Sequence, residues 1–434
     1  MRAAVVGAGW AGCVAAVELM RRGWQVELLE AARQTGGRAR RLEVMHQGQA
    51  LALDNGQHIL IGAYRDTLAM MQSLGLEPEQ LLRRMPLTLR FADGRGLSLP
   101  DWRHRTPATL AVSAGILAAQ GWSWIDKLRL MHWALGWQVR RFECADAMSV
   151  LDVCQGLSPV LIDELIEPLC VSALNTPARR ASGRVFLRVL QDALMSSRDG
   201  ADLLLPLCDL STLLPQAAIA QLLEDGQSVK MGARVQSLQH SDGGWQLQYQ
   251  SEGHSLDLSA DAVILACPSS EAARLVSALP QAQHWRQQAQ GLQHEAITTV
   301  YAYSPGARLR RPMLALRAAA DAPAQYVFDR GQLGGPPGLL AFVVSASPSE
   351  RDVLEAQVLI QARSQLKLAL LQPVQTVIER RATFACTPGL RRPGPRIMPD
   401  QPRLLACGDY VDGPYPATLE GAVRSGLHAA ACLT

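Results

Sequence analysis

Asp54-Asn55-Gly56-Gln57-His58 sets a carboxyl, two carboxamides and an imidazole side by side, between the apolar runs Leu51–Leu53 and Ile59–Ile61. Acid–base chemistry needs such groups within hydrogen-bonding reach of a reacting atom. The plain alternative is an ordinary turn whose Asp54 carboxyl is satisfied by backbone N–H groups. Near the other end of the chain, Asp409 lies in Cys407-Gly408-Asp409-Tyr410, just after a strand-like run. Tyr415 follows in Gly413-Pro414-Tyr415-Pro416. These two side chains are the remaining candidates for holding or protonating a bound molecule.

Such groups need a scaffold, and the first forty residues describe one. Ala3–Val6 reads as a buried parallel strand. Gly7-Ala8-Gly9-Trp10-Ala11-Gly12 is a G-x-G-x-x-G turn, followed by a helical pattern over 13–22 and a strand from Gln25 that ends on Glu30. Gly7 makes the tight turn, Gly9 lets a pyrophosphate approach the backbone, and Gly12 lets the helix lie close to the strand. The helix N-terminus faces the phosphates and Glu30 the ribose. A dinucleotide site is expected. NAD dehydrogenases start their next helix soon after the ribose acid, whereas Gly36-Gly37-Arg38 makes a loop here, which argues for FAD. Asp409 would then reach the ribityl chain. The helix beginning near Thr418 and Leu419 would stabilise the negative charge of a reduced flavin. No second G-x-G-x-x-G occurs, so no NAD(P)H domain is expected.

The 434 residues suit two or three domains. A 48% hydrophobic and 19% charged composition is that of a globular protein, and a net charge of +3 is too small to argue for nucleic acid. Of the 42 basic residues only Lys127, Lys230 and Lys367 are lysine, a bias read as genomic composition. Nine cysteines without a C-x-x-C pair suit a reducing, cytoplasmic setting with neither a disulfide framework nor a metal site. No signal peptide is expected. The longest apolar stretch, Leu110–Ala119, is too short to span a bilayer. Around it lie Trp102, Trp122, Trp124, Trp133 and Trp137, with Lys127, Arg129, Arg140 and Arg141. This pattern fits either a membrane-surface helix or a helical region that turns its tryptophans inward. Helices are expected over 65–74, 150–196 (broken by Pro159, Pro168 and Pro177), 210–224 and 352–371. Strands are expected over 260–268 (closed by Pro268), 296–303, 325–329, 339–345 and 402–406, with hairpins at Asp93-Gly94 and between Tyr249 and Leu256. Ser172–Asn175 and Ser182-Gly183 are candidate pocket linings.

Taken together, GAGWAG, Glu30, GGRAR, DNGQH, GARV and GDY…TLEGA resemble the flavin amine oxidase and phytoene desaturase superfamily over the whole chain. Within it, LDNGQHILIGAY and the Trp-rich middle resemble the hydroxysqualene dehydroxylase family, also called squalene-associated FAD-dependent desaturases. The resemblance implies an α/β protein with a Rossmann-like FAD-binding domain (1–86, 203–290 and 386–434). Interleaved with it is an α+β substrate-binding domain of mixed sheet and helices (87–202 and 291–385), in which 110–141 is the candidate membrane contact. It implies FAD held by Gly7, Gly9, Ala11, Gly12, Glu30, Arg38, Gln57, His58, Val235 (backbone to adenine), Asp409 and Leu419. It also implies reductive dehydroxylation of a C30 isoprenoid alcohol, hydroxysqualene, to squalene on the way to hopanoids or sterols, with hydride passing from reduced flavin to an allylic cation. The catalytic candidates are His58 or Tyr415 as acid, with Asp54 orienting. An external electron donor, upstream squalene-pathway enzymes as partners and a peripheral place on the inner face of the cytoplasmic membrane complete the expectation. A carotenoid-type desaturase, a flavin amine oxidase and a non-enzymatic flavoprotein scaffold are the alternatives. The amine oxidase is disfavoured because no lysine lies on the strand 296–303.

Overall fold

Five strands drawn from three separated stretches of chain make one all-parallel sheet, in the order Ser228–Met231, Gln25–Glu30, Arg2–Val6, Ala262–Leu265 and Leu404–Ala406. A parallel sheet is covered on both faces, so its strands carry apolar residues without alternation. Ala3, Ala4, Val5 and all of Ala262–Leu265 are accordingly buried. The helices Trp10–Arg21 and Leu419–Ala431 pack against each other beside this sheet, with Gly426 against the Ala11 carbonyl, where a Cβ would stand 2.4 Å from the oxygen. The N- and C-terminal parts of the chain thus pack against each other. The computed structural model describes residues 1–195, 197–241, 243–347, 350–401 and 403–433.

A second, antiparallel sheet has the order Met313–Ala315, Tyr326–Asp329, Leu339–Ser345, His294–Tyr303 and Gln372–Phe384. The helix Arg351–Leu366 covers one face, burying Leu354 and Val358 with Val300 and Phe342. The strands Arg234–Ser241, Gly244–Ser251 and His254–Ala260 form a separate three-stranded sheet, one strand more than the expected hairpin. A helical region contains Ala108–Ala118, Trp124–Val139, Glu167–Leu174 and Gly183–Met195.

Several expectations need correction. The first helix starts at Trp10, inside the glycine turn. The helix expected over 210–224 is two pieces, Leu210–Leu213 and Pro215–Glu224. Pro215 has no N–H to donate and pushes Leu214 out of helical geometry. The helix expected to reach 371 stops at Leu366, where Lys367 turns left-handed at φ +59°. The strands Arg41–His46 and Gln372–Phe384 were not anticipated. The expected elements 150–196 and 402–406 include Ser196 and Pro402, which lie outside the described residues. In the Trp-rich region Trp122 and Trp137 are buried, whereas Trp102 and Trp124 are exposed, so neither reading holds for all of them.

Candidate active site

The glycine turn leaves no space for side chains. Gly7 sits at φ +112°, and a Cβ there would stand 2.8 Å from the Ala266 oxygen; one on Gly12 would stand 1.9 Å from the Gly7 oxygen. Gly9 differs: the nearest atom to a Cβ would be the Gly37 Cα, 3.9 Å away, so its outer side is open. No side chain caps the helix that starts at Trp10. Its first N–H groups, Ala11 and Gly12 among them, therefore remain for an anion. Glu30 ends the second strand, one carboxylate oxygen accepting from Ala8 N–H (2.7 Å) and the other from Ala32 N–H (2.8 Å). Each oxygen keeps a lone pair for a ribose hydroxyl. A narrow glycine turn, an uncapped helix start and an acid at the end of the next strand fit the FAD expected from the sequence.

Gly36 and Gly37 fold back on this turn, Gly36 donating its N–H to the Ala8 carbonyl (2.9 Å). Arg38 then bridges the two ends of the chain: it pairs with the Asp409 carboxylate and also donates to the Ala382 carbonyl at 2.6 Å. Val235 lies at a bulge in its strand pairing, and its carbonyl accepts from Arg274 Nη2 (2.9 Å). Leu419 opens the last helix behind the N-cap Thr418, whose side chain accepts from Gly421 N–H.

The polar turn lies against the antiparallel sheet. Gln57 N–H donates to Thr299 Oγ1 (3.3 Å), and the Tyr301 hydroxyl donates to the Asp54 carbonyl (3.0 Å). The Asn55 side chain donates to Glu379 (3.0 Å). Asp54 is 1% exposed, and its Oδ1 accepts from Leu210 N–H (2.8 Å). Burial pushes its carboxyl up to about 6, although Arg330 nearby pulls the other way. His58 Nδ1 donates to the Gly56 carbonyl at 2.7 Å, so Asp54 is not its orienter. Burial lowers the imidazole's pKa, the Gly56 bond opposes this, and Arg38 lowers it further. A neutral ring with its proton on Nδ1 presents Nε2 as an acceptor.

Tyr415 stands apart from that turn, its ring under Arg424 (5.0 Å) and its hydroxyl hydrogen-bonded to Asp192. Burial, then the Asp192 charge, push the phenol up to about 12. Asn175, a candidate lining residue, instead ties three segments together, donating to Thr383 Oγ1 (2.9 Å) and accepting from Ala346 N–H (2.7 Å). Sequence reasoning missed Arg330, Thr299, Tyr301 and Glu379 beside the turn. Each sits in an element whose neighbours carry no motif, and only their strand's register brings them here.

The sequence model of the flavin containing amine oxidoreductase family matches residues 10–434. The hydroxysqualene dehydroxylase of Rhodopseudomonas palustris is 30% identical over an alignment of 450 positions, which takes in 98% of this chain and 96% of that protein. The hydroxysqualene dehydroxylase of Sinorhizobium fredii is 25% identical, with the same shares covered. Among solved structures, an oxidoreductase from Methanosarcina mazei superposes with a TM-score of 0.72 at 16% identity, over 99% of each chain, and so shares the fold. The glycine turn, the packing of the first helix on the last and these full-length likenesses lead to one statement: this FAD-dependent oxidoreductase chain belongs to the flavin containing amine oxidoreductases and, within them, to the hydroxysqualene dehydroxylase family.

Proposed function

We propose that the chain removes the hydroxyl of a C30 isoprenoid alcohol, hydroxysqualene, to give squalene, as the names of its relatives suggest. When bound, reduced FAD supplies the hydride that replaces the hydroxyl. The observation that carries the reading is the seating of the Asp54–His58 turn against the strand His294–Tyr303 through Thr299 and Tyr301. That strand bears no lysine, and from Thr298 to Ala302 it is buried.

The residues divide the work as follows. Gly7, Gly9, Ala11, Gly12, Glu30, Arg38, Gln57, Val235, Asp409 and Leu419 hold the cofactor. His58, kept neutral, offers Nε2 as an acceptor. Tyr415, whose hydroxyl is held by Asp192 apart from the turn, is assigned no proton transfer, and Asp54 fixes the turn through Leu210 N–H. The segments 1–86, 203–290 and 386–434 act as the cofactor-binding domain, and 87–202 and 291–385 enclose the substrate. An external donor reduces the flavin, upstream squalene-pathway enzymes supply the alcohol, and the product feeds hopanoid or sterol synthesis.

A water-insoluble substrate calls for access from a bilayer. On the helix Trp124–Val139, Trp124, Ile125, Leu128, Leu135 and Val139 are all exposed. At about 100° per residue they fall within about 100° of one another, opposite the buried Lys127, Leu130 and Trp137. A helix with one apolar face in the core and a second facing out, flanked by Arg129, Arg140 and Arg141, suits the surface of an anionic membrane. Among the described residues no helix is long and apolar enough to cross one.

Anaerobic mixing of the photoreduced enzyme with the C30 alcohol tests the reaction. The flavin absorbance should return as the alcohol is consumed. A flavin that stays reduced rejects the reading.

A further inference from the structure

Arg330 is 4% exposed and lies just after the strand Tyr326–Asp329 of the antiparallel sheet. Burying a guanidinium is costly unless it is paired and hydrogen-bonded. Among the described residues its side chain makes one hydrogen bond, from Nη1 to Gln57 Oε1 at 3.2 Å, and Asp54 is the carboxylate close enough to feel its charge. Gln57 passes the contact on, its Nε2 donating to the His58 carbonyl (3.2 Å) while its N–H holds Thr299. An amide that accepts on one side and donates on the other has a single orientation. Arg330 therefore sets Gln57, and Gln57 sets the backbone at His58.

The loop that carries Arg330 is shaped around it. The Arg330 carbonyl accepts from Leu333 N–H (2.9 Å) and Gly335 N–H (2.8 Å). A Cβ on Gly335 would meet Arg330 Cβ at 3.1 Å, and one on Gly334 would meet the Leu207 oxygen at 2.2 Å. Leu207 leads to Leu210, whose N–H holds Asp54. The glycine-rich stretch 334–338 thus docks one arginine between the Asp54–Gln57 turn and the 207–210 segment.

We propose that Arg330 is a positioning residue, reaching from the antiparallel sheet to hold the Gln57–His58 turn in the geometry that flavin and substrate require. This rests on the proposed reaction only for its kinetic readout. Lysine offers a point charge without the planar fork, so it should restore the charge and only part of the alignment.

The test compares Arg330→Met, Arg330→Lys, Gln57→Ala and the Arg330→Met/Gln57→Ala double variant. Each is titrated with FAD, its flavin absorption spectrum is recorded, and kcat and KM are measured with the C30 alcohol. Arg330→Met should shift the flavin band, weaken FAD binding several-fold and lower kcat at least tenfold with KM within about twofold. Arg330→Lys should recover part of each loss. The double variant should be no worse than the poorer single one, because both act through one link. If Arg330→Met lowers only the melting temperature, leaving the spectrum and kcat per bound flavin unchanged, the proposal is overturned. Additive losses in the double variant would overturn it too. Should Arg330→Met fail to fold, Arg330→Lys and Gln57→Ala still decide, since both should share the spectral shift. A wild-type enzyme inert toward the alcohol rejects the reaction, while FAD affinity and spectrum continue to judge Arg330.

Discussion

Asp54 shows how a single buried side chain ties the turn to the rest of the protein. Its carboxyl is held at about 6 against 3.8 for the free group, chiefly by burial. The groups facing it are Arg330, Asp209, Tyr301 and Cys208. Because the folded state holds the proton more tightly, this site's contribution to stability is fully present below about pH 4. It is lost as pH rises through about 6. The difference is worth about 3 kcal/mol at roughly 1.36 kcal/mol per pH unit. Asp54→Asn keeps an acceptor for Leu210 N–H and removes the titration. Denaturant midpoints from pH 4 to 7 should therefore show the variant gaining on the wild type by up to about 3 kcal/mol, whereas parallel curves would contradict the burial argument. At this scale the sequence was informative where a residue's neighbours carry its meaning, as in Gly7–Gly12, Glu30 and Asp409. It was silent on Arg330, whose function depends on a contact to Gln57 far away in the chain. It did not reveal that the His58 ring is held by the Gly56 carbonyl.

Elements were legible when they were buried and uniform. The strands Arg2–Val6 and Ala262–Leu265 are apolar throughout and sit in the middle of the parallel sheet. The strand Gln372–Phe384 escaped notice because it is an edge, with Pro373 near its start and Glu379-Arg380-Arg381 toward its solvent side, which blurs a period of two. The helix Trp124–Val139 was visible, but its two apolar faces were not separable from composition alone. Its outward stripe yields a direct expectation. Wild-type protein should sediment with anionic vesicles, and Ile125→Glu/Leu128→Glu should reduce the bound fraction at least tenfold while leaving the melting temperature unchanged, since both side chains are exposed. Equal sedimentation of the two proteins would remove the membrane assignment.

At the scale of the whole molecule, function follows from how two sheets share one seam. The parallel sheet places the first and last strands of the chain on either side of Ala262–Leu265, and Arg38 ties the N-terminal segment to Asp409 and to the antiparallel sheet at Ala382. The polar turn lies between Leu210 on one side and Thr299, Tyr301 and Glu379 on the other. The glycine turn and its flanking strands were readable from the sequence. The seam was not, because it is built of single long-range contacts. The central claim is that this seam holds FAD beside a C30 alcohol and replaces its hydroxyl by hydrogen. The most direct measurement is the mass of the product when FAD-loaded, chemically reduced enzyme is given hydroxysqualene. The account predicts squalene, lighter than the substrate by one oxygen atom; a product lighter by two hydrogens, or unchanged alcohol, would contradict it.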